Sequence, residues 1–465
     1  MASELNAAIS PPFDTVQYKS FSGCKVTRCS IQPENRTELV MTAGNMSDIY
    51  WAIPSRPNCF INPMNTYLSF TYNLTGTAAV AGNVSVANGT GSSFIRTAEV
   101  LCGSTSVELI NNYNVIAALV DDFQPQDRGR TIGSILSDKL ETQGATAIKA
   151  GTQRVTNPAI AGGPLPASAT NERRICCPLL SCILGTLGEK YVPINRDTGM
   201  RLRLTAEDPN VCLVCIGDAA DSFTNASLGY RLSDITLELE IIELPAQTFN
   251  ALANEAGNVF KICGTSIGSF GVTVPAGGQA QSIMIPARYS SCRNIFTSIR
   301  RQDAITNRHV NSVGARVRDF ISSYSYRVSG VSYPPLPVSS DGFTGSEVFS
   351  ELAKCWSAHA SLDLNCVFNA SQFNVNGTEP IVTVIANRPE WQTRGSFLIG
   401  ISFEESGFSS SQMSGINTTS GNTFLDIGYS GLPATGCQAT IFDSFVFYDN
   451  IVEINNVTGE VTVSR

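Results

Sequence analysis

The sequence predicts an all-β fold built in two similar halves, and three observations support this prediction. Short segments in which apolar and polar residues alternate recur along the chain, with turn-forming dipeptides between them. The alternation stops at Pro245, is followed by a small, polar stretch, and returns at Val259. Each half also contains one segment with helical spacing. Chains with many short strands and frequent turns form sandwiches or barrels, so we expect two such units in one chain.

Three segments show the alternation most clearly, and in each we expect one face to be buried and the other exposed. The alternating apolar positions are Met200, Leu202 and Leu204 in MRLRLTAE, Ile235, Leu237, Leu239 and Ile241 in DITLELEIIEL, and Phe397, Ile399, Ile401 and Phe403 in FLIGISFEE. Between strands, Asn88-Gly89 and Asn376-Gly377 predict type I′ hairpin turns, because both residue types tolerate positive φ.

The first helical segment follows a strand in FIRTAEVLCGSTSVELINNYNVIAALVDDF, residues 94–123. The strand is indicated by alternation up to Cys102, and the spacing changes to three and four residues after Gly103. The apolar positions of this second part are Val107, Ile110, Tyr113, Ala117 and Val120. Because Thr105 precedes Glu108 by three residues, as in a capping box, we predict a helix of about four turns over 105–122.

The second helical segment is SEVFSELAKCWSAH, and it predicts a helix over 344–359. Its apolar face contains Val348, Phe349, Leu352, Cys355 and Trp356. Thr344 and Glu347 again have the spacing of a capping box. The two predicted helices begin at similar distances from the starts of their halves, which favours the same arrangement of strands and helix in both halves. The alternative is coincidence, because the segments share no evident sequence similarity.

Composition limits the classes of function. A chain of 465 residues is too long for one ordinary core, which favours two or three domains. Charged residues make up 15% of the chain, against about 25% in a typical soluble domain, so much of the surface is expected to be neutral or covered by other subunits. A net charge of −8 argues against general nucleic-acid binding, which requires an excess of Lys and Arg.

Neither secretion nor membrane insertion is predicted. The N-terminal sequence MASELNAAISPPFDTVQYK lacks the basic start and apolar core of a signal peptide. The longest apolar run, 175–187, is interrupted by Pro178, Ser181 and Gly185 and is too short to span a bilayer. The fourteen cysteines are scattered along the chain, so we expect mostly reduced core residues; a minority in disulfide bonds is the alternative.

Asn-x-Ser/Thr sequons favour a different class, a secreted glycoprotein. They begin at Asn35, Asn45, Asn73, Asn83, Asn88, Asn225, Asn369, Asn376, Asn417 and Asn456. Roughly six would arise by chance from this composition, so the excess is small.

Few residues suggest catalysis or metal binding. His309 and His359 are the only histidines, which excludes His-rich metal sites but leaves a Ser or Cys nucleophile beside either one open. Cys212 and Cys215 form a CxxC pair that Cys176, Cys177 and Cys182 could complete as a zinc site. Positions three apart in a strand point to opposite faces, so we expect no metal there. We expect no catalytic, cofactor-binding or metal-ligating residues.

Two further segments stand out. A basic concentration consists of Arg300, Arg301, Arg308, Arg316 and Arg318. We interpret it as a subunit contact or a solvated surface rather than a genome contact, because no aromatic residues for base stacking are interleaved with the charges. The segment 144–170 is rich in Gly, Ala, Thr and Pro without sustained periodicity, which predicts an external loop at the surface of an assembly or at a contact between its units.

Several segments carry a family resemblance when taken in order. The first half contains CFINPMNTYLSFTYNL, SSFIRTAEVLCGSTSVELINNYNVIAALVDD and SCILGTLGEKYVPINRDTGMRLRLTAED. The second contains YSYRVSGVSYPPLPVSSDGFTGSEVFSELAKCW, FLIGISFEESGFSSSQMSGINTTSGNTFLDIGYSG and DSFVFYDNIVEINNVTGEVTVSR. Together they resemble double jelly-roll major capsid proteins of eukaryotic double-stranded DNA viruses, most similarly those of the polinton-like virus and adintovirus type. The most distinctive parts are SGINT at 414–418 and Tyr448-Asp449 with the final hairpin.

The resemblance implies two consecutive antiparallel jelly-roll barrels with a few short connecting helices. The N-terminal arm would occupy 1–20, the first jelly roll 21–246, a linker 247–257 and the second jelly roll 258–465. Both predicted helices would be connections between strands that cover the flanks of the barrels.

The resemblance also implies a function without catalysis. The chain would be a major capsid protein that forms homotrimeric, pseudo-hexagonal capsomers and builds an icosahedral shell. Its partners would be its own copies, neighbouring capsomers, penton proteins and minor capsid or cement proteins, without sequence-specific nucleic-acid binding. It would be located in the virion capsid after assembly inside the host cell. The alternatives are a secreted or cell-surface β-sandwich glycoprotein or lectin and, less favoured, a hydrolase on a β scaffold.

Overall fold

The computed structural model describes residues 24–75, 82–87, 90–123, 157–159, 173–188, 190–216, 229–305, 312–314, 316–340, 345–356, 373, 396–404, 415–431 and 439–465. Within these ranges the strands form five antiparallel sheets. Strands that precede residue 244 pair with one another, and strands that follow residue 258 pair with one another.

The first half contributes three sheets. Its strands are β1 (Lys25–Ile31), β2 (Leu39–Thr42), β3 (Asp48–Ala52), β4 (Cys59–Thr75), β5 (Gly82–Val86), β6 (Ile95–Cys102), β7 (Thr105–Asn111), β8 (Asn157–Ala159), β9 (Arg173–Pro178), β10 (Val192–Pro193), β11 (Met200–Ala206), β12 (Leu213–Ile216) and β13 (Gly229–Glu243). A six-stranded sheet has the order β1-β13-β4-β10, with β2 beside β13 and β9 beside β4. A four-stranded sheet has the order β3-β11-β6-β7, and β12-β5-β8 form a small third sheet.

The second half contributes two sheets. Its strands are β14 (Val259–Val274), β15 (Gln281–Ile285), β16 (Cys292–Arg301), β17 (Ile321–Val328), β18 (Val331–Ser339), β19 (Leu398–Ser402), β20 (Thr423–Tyr429), β21 (Thr440–Asn455) and β22 (Val461–Ser464). One sheet has the order β14-β21-β16-β19 with β22 beside β21, and the other has the order β15-β20-β17-β18. Buried side chains from the sheets of both halves form one contiguous hydrophobic cluster.

The helices are short. They are α1 (Tyr113–Asp122), α2 (Pro209–Cys212), α3 (Ala246–Glu255), α4 (Gln302–Ile305) and α5 (Ser346–Cys355), together with a 3-10 helix at Gly91–Phe94. The segment 247–257, predicted as a linker, therefore contains most of helix α3. Phe249, Leu252 and Ala253 of this helix pack against Phe60 and Ile242 in a small separate cluster.

The predicted helix over 105–122 is correct only in its second part. Residues Thr105–Asn111 form strand β7, which pairs with β6 through the two-residue turn Gly103-Ser104. Gly103 has a φ of +60°, which suits the first position of such a turn. Helix α1 begins after Asn112, and no side chain caps its start. The capping-box prediction for Thr105 and Glu108 is therefore wrong.

The second predicted helix is confirmed as α5, with different ends. Its N-cap is Gly345, at φ +62°, so the predicted cap at Thr344 is wrong. Val348, Leu352 and Cys355 are buried, as predicted from the apolar face. The predicted end at residue 359 lies outside the described residues.

Strand alternation predicts the buried faces of β6, β11 and β13. Met200, Leu202 and Leu204 of β11 are buried, and the four apolar positions predicted in β13 are buried as well. In β19, Leu398 and Gly400 are also buried. A Cβ atom at Gly400 would lie 3.1 Å from Leu352 Cδ1, because helix α5 covers this face of the strand. The prediction that one face is exposed is therefore wrong for β19, and it is wrong in part for β13, where Glu238 and Ile242 on the other face are also buried.

The cysteines whose side chains the structure describes are thiols, in agreement with the expectation that most cysteines are reduced. The structure records Cys24, Cys29, Cys59, Cys102, Cys176, Cys177, Cys182, Cys212, Cys263, Cys292 and Cys355 in this form. Burial raises the pKa of the Cys102 thiol to about 12, so it stays protonated and unreactive at neutral pH.

The external loop predicted over 144–170 lies largely outside the described residues. Its described part, Asn157–Ala159, is strand β8 and pairs with β5. The two predicted hairpin turns, Asn88-Gly89 and Asn376-Gly377, also lie outside the described residues.

Candidate functional site at the junction of the two barrels

The two halves meet along the edge strands of their sheets. Strand β7 is at the edge of the four-stranded sheet in the first half, and it lies against β14, at the edge of the five-stranded sheet in the second half. An exposed edge carries backbone groups that attract further strands. Here side chains of the second half form hydrogen bonds with backbone oxygens of β7. Asn450 Nδ2 donates to the Val107 oxygen at 3.2 Å, and Arg465 Nη2 donates to the Ser106 oxygen at 2.5 Å.

The backbones approach closely at this junction. A Cβ atom at Gly264, in β14, would lie 2.7 Å from the Cys182 Sγ atom of the first half. Real Cβ atoms essentially never approach other atoms so closely, so any larger residue here would force the Cys182 side chain or the adjoining backbone to shift. At the rim, Arg196 Nε donates to the Asn456 oxygen at 3.0 Å. The junction is therefore tightly packed from its centre to its edge.

Glu108 lies at the centre of the junction and is 1% exposed. Its carboxyl accepts hydrogen bonds from Ser181 Oγ at 2.5 Å and from the backbone nitrogen of Cys182 at 3.1 Å, both in the first half. It also accepts from Ser266 Oγ of the second half at 2.7 Å. Burial raises the pKa of Glu108, although these hydrogen bonds and Arg465 partly oppose the increase. The carboxyl thus joins the two halves through hydrogen bonds.

Helix α1 of the first half is attached to the second half at both of its ends. At its start, Asn112 Nδ2 donates to Asp443 Oδ1 at 3.0 Å. The other carboxylate oxygen of Asp443 accepts from Arg300 Nε at 2.7 Å, and both charged side chains are at least nine-tenths buried. This charge-assisted contact fixes the position of the N-cap relative to strands β16 and β21.

At the end of helix α1, Arg316 Nη2 donates to Asp122 Oδ2 at 2.5 Å. The Arg316 side chain is fully buried, and that of Asp122 is 8% exposed. The adjacent Phe123 ring stacks on Trp356, which follows helix α5, with centroids 5.2 Å apart and planes 24° apart. Helix α1 is therefore held by a buried ion pair and by an aromatic contact between the two halves.

No protein-family model matches the sequence, and no curated protein matches it. Several solved structures, however, are similar to the structure of this chain. A chain of the PBCV-1 virus capsid is 9% identical, with 96% of this chain and 98% of that chain covered and a TM-score of 0.58. The Faustovirus major capsid protein is 8% identical, with 93% and 91% covered and a TM-score of 0.57. The mavirus major capsid protein is 9% identical, with 94% and 90% covered and a TM-score of 0.53.

The chain has the double jelly-roll fold of these capsid proteins. The predicted fold class of two consecutive antiparallel barrels with few short helices is thus confirmed. The likeness covers both halves, since more than nine-tenths of the chain is superposed in each comparison. The junction described above is accordingly the junction between the two jelly rolls.

The structure corrects the interpretation of the arginine-rich segment 300–318 as a subunit contact or a solvated surface. Arg300 and Arg316 are neither solvated nor available to another subunit, because each is buried beside a carboxylate within the chain. Arg318 Nη1 donates to the Ser340 oxygen at 2.6 Å. Arg308 lies outside the described residues. The acidic partners of the buried pairs, Asp122 and Asp443, are far away in sequence, so charge spacing alone did not indicate them.

The other sequence-predicted candidates do not form a site in the described residues. Cys212 ends helix α2 while Cys215 belongs to strand β12, so the CxxC pair does not lie on one strand as assumed. No three His, Cys, Asp or Glu side chains of the described ranges are grouped so that they could hold a metal ion. His309 and His359 lie outside the described residues. None of the described helices is long and apolar enough to cross a membrane.

The sequence analysis named Glu108 only as part of a capping box and missed its place in the junction. The sequence contained a usable indication, because Gly103-Ser104 follows one β pattern and precedes another, as in a two-residue hairpin. A hairpin at this position would have placed Glu108 in a strand rather than in a cap. Its contacts with Ser181 and Ser266 could not have been inferred, since they join segments that are 73 and 158 residues away.

The outer surface of the double jelly roll carries several large, exposed apolar side chains. They are Val26, Val40, Met46, Met64, Leu109, Tyr191, Met284, Val331, Leu336 and Val457. Leu336 is the most exposed of these, at 79%, and lies in β18, an edge strand in the sheet order. Single exposed apolar residues are common on protein surfaces, so each identifies a position to test rather than an interface.

Proposed function

We propose that the protein is a major capsid protein that forms homotrimers and, from them, the icosahedral shell of a DNA virus. The observation that supports this most is the likeness to viral capsid proteins over nearly the whole chain, with two barrels in each chain. Three chains related by a three-fold axis present six similar barrels, which gives a pseudo-hexagonal outline suited to tiling a shell. The low fraction of charged residues, 15%, fits large interfaces between subunits.

The same proposal includes the finer assignments. Residues 1–20 form an arm, 21–246 and 258–465 form the two jelly rolls, and 247–257 join them. The partners are neighbouring copies, penton proteins and minor capsid or cement proteins, and the lineage is the polinton-like virus or adintovirus type. The protein resides in the virion capsid after assembly in the host cell, without enzymatic activity. The buried Arg316–Asp122 ion pair and the Asn112–Asp443 hydrogen bond, both of which join the two halves, support a rigid two-barrel unit, as a shell requires.

Native mass spectrometry of the purified protein is expected to show a complex of three chains. Negative-stain electron microscopy of the same sample is expected to show a pseudo-hexagonal outline. A stable monomer or an even-numbered closed oligomer under assembly conditions would contradict the proposal. Intact glycans on the protein, detected by mass spectrometry, would favour the secreted glycoprotein instead.

Single substitutions by lysine at the exposed apolar positions provide a sharper version of this test. Because these side chains are exposed, each substitution is expected to change folding stability by less than about 0.5 kcal/mol. A substitution inside a subunit interface is expected to shift the protein from trimer to monomer without loss of β content in circular dichroism, since it places a charge in an apolar contact. Leu336→Lys and Val457→Lys are the first choices because both side chains are mostly exposed.

A further inference from the structure

Glu108 differs from the other buried carboxylates of the junction in having no ion-pair partner among the described residues. Asp122 and Asp443 each contact a guanidinium group, whereas Glu108 contacts two hydroxyl groups and one backbone N–H. The cationic side chain that lowers the pKa of Glu108 is Arg465, whose guanidinium donates to the Ser106 oxygen. A carboxylate at this position is therefore buried without a salt bridge, and ionisation has a desolvation cost.

The hydrogen bonds around Glu108 can be satisfied in both protonation states. Ser181 Oγ accepts from the backbone nitrogens of Ile183 and Leu184, at 3.2 and 3.1 Å, so its own proton is available to Glu108. Ser266 has a different environment, because it also forms a hydrogen bond with the Tyr448 side chain. Since a hydroxyl group can donate or accept, the chain Glu108–Ser266–Tyr448 can run in either direction.

We propose that Glu108 is a proton-dependent latch between the two jelly rolls, tight when its carboxyl is protonated and weakened when it is ionised. In the protonated state the carboxyl donates to Ser266 Oγ, which donates to the Tyr448 hydroxyl. In the ionised state Tyr448 donates to Ser266, and Ser266 donates to the carboxylate. Only the ionised state places a charge without an ion-pair partner in the junction, so a rise in pH weakens the contact between the barrels.

The titratable groups around Glu108 do not reverse this direction. Burial raises the pKa of Tyr448 to about 12, and burial also raises that of Tyr113 in helix α1, so both hydroxyl groups stay protonated at neutral pH. Cys182 contributes its backbone N–H. Arg465 is positively charged and opposes the increase in the pKa of Glu108, but burial outweighs it. Because the folded-state pKa is raised, the stability that this group contributes is fully present below the ordinary Glu pKa. It is lost as pH rises through the folded-state value.

The test compares the unfolding of the wild-type chain and Glu108→Gln between about pH 4 and about pH 9, by urea denaturation followed by circular dichroism. The amide keeps hydrogen-bonding groups at the same position and carries no charge at any of these values. We expect the unfolding equilibrium constant of the wild type, relative to Glu108→Gln, to increase about tenfold for each pH unit between the unfolded and the folded pKa of Glu108. Equal pH dependence in the two proteins would overturn the proposal.

Two further variants make the result specific. Glu243→Gln removes an exposed carboxyl in β13 and is expected to keep the wild-type pH profile. Ser266→Ala removes the donor from the second barrel and is expected to extend the pH-dependent range to higher pH, because the ionised carboxylate loses one hydrogen bond and the folded-state pKa of Glu108 rises further. If Glu108→Gln fails to fold, the test rests on Ser266→Ala. The same pH dependence of unfolding in Ser266→Ala and in the wild type would then overturn the proposed latch. None of these measurements requires assembled particles, so their outcome is independent of the proposed capsid function.

Discussion

Replacing Arg316 by methionine is expected to destabilise the protein by about 3–5 kcal/mol, the usual cost of removing one partner from a buried ion pair. The side chain is fully buried and contacts Asp122 at the end of helix α1. Methionine fills part of the same volume but leaves the buried Asp122 carboxylate without this guanidinium group. Urea denaturation of the purified variant measures the loss as a lower midpoint.

The matched control is Arg201→Met. Arg201 lies 3.7 Å from Glu34, and both side chains are about half exposed, so this substitution is expected to cost less than about 1 kcal/mol. The double variant Arg316→Met, Asp122→Asn removes both charges and is expected to recover part of the loss, because no unmatched charge remains. If Arg316→Met were as mild as Arg201→Met, the ion pair would not stabilise the junction.

Replacing Trp356 by alanine is expected to cost about 3 kcal/mol, because the ring fills the space between the helices of the two barrels. It stacks on Phe123 of the first barrel and lies 4.7 Å from the Phe296 centroid in the second. Its loss removes apolar contacts on both sides of the junction at once. Differential scanning calorimetry is expected to show a lower unfolding temperature, and separate transitions for the two barrels if their coupling depends on this ring.

Leu336→Ala is the control for the loss of apolar surface. Because Leu336 is 79% exposed, the substitution is expected to change stability by less than about 0.5 kcal/mol. A similar effect for both variants would show that Trp356 does not join the barrels. A large effect for Trp356→Ala in a single transition would mean that the barrels still unfold as one unit through the remaining contacts of helix α1.

The local pattern of the sequence was sufficient to predict most described strands. In β11 and β13, alternate side chains point towards the core, because successive side chains of a strand lie on opposite faces of its sheet. Met200 and Leu237 could therefore be assigned to the core without knowing which strands pair with theirs. The same reasoning failed for β19, because helix α5 covers its second face and buries Leu398. The burial of a second face depends on what packs there, and the strand's own sequence does not specify it.

Helix boundaries were less well determined. Val107 and Ile110 have helical spacing with Tyr113, yet they belong to strand β7 and only Tyr113 belongs to helix α1. A short run of apolar residues is compatible with both the strand period of two and the helix period of 3.6, and here pairing with β6 makes the segment a strand. The polar stretch after Pro245 showed the opposite error, because Phe249 and Leu252 gave too weak a pattern to indicate helix α3.

The sequence by itself determined the all-β class, the change of pattern near residue 245 and, through family resemblance, the double jelly roll. These properties depend on local periodicity, on composition and on the order of segments. Only the tertiary structure decided that Arg300 and Arg316 are buried partners of carboxylates and that Glu108 joins the barrels. The physical reason is that a buried charged or hydrogen-bonding group requires partners, and here folding brings those partners from segments more than a hundred residues away.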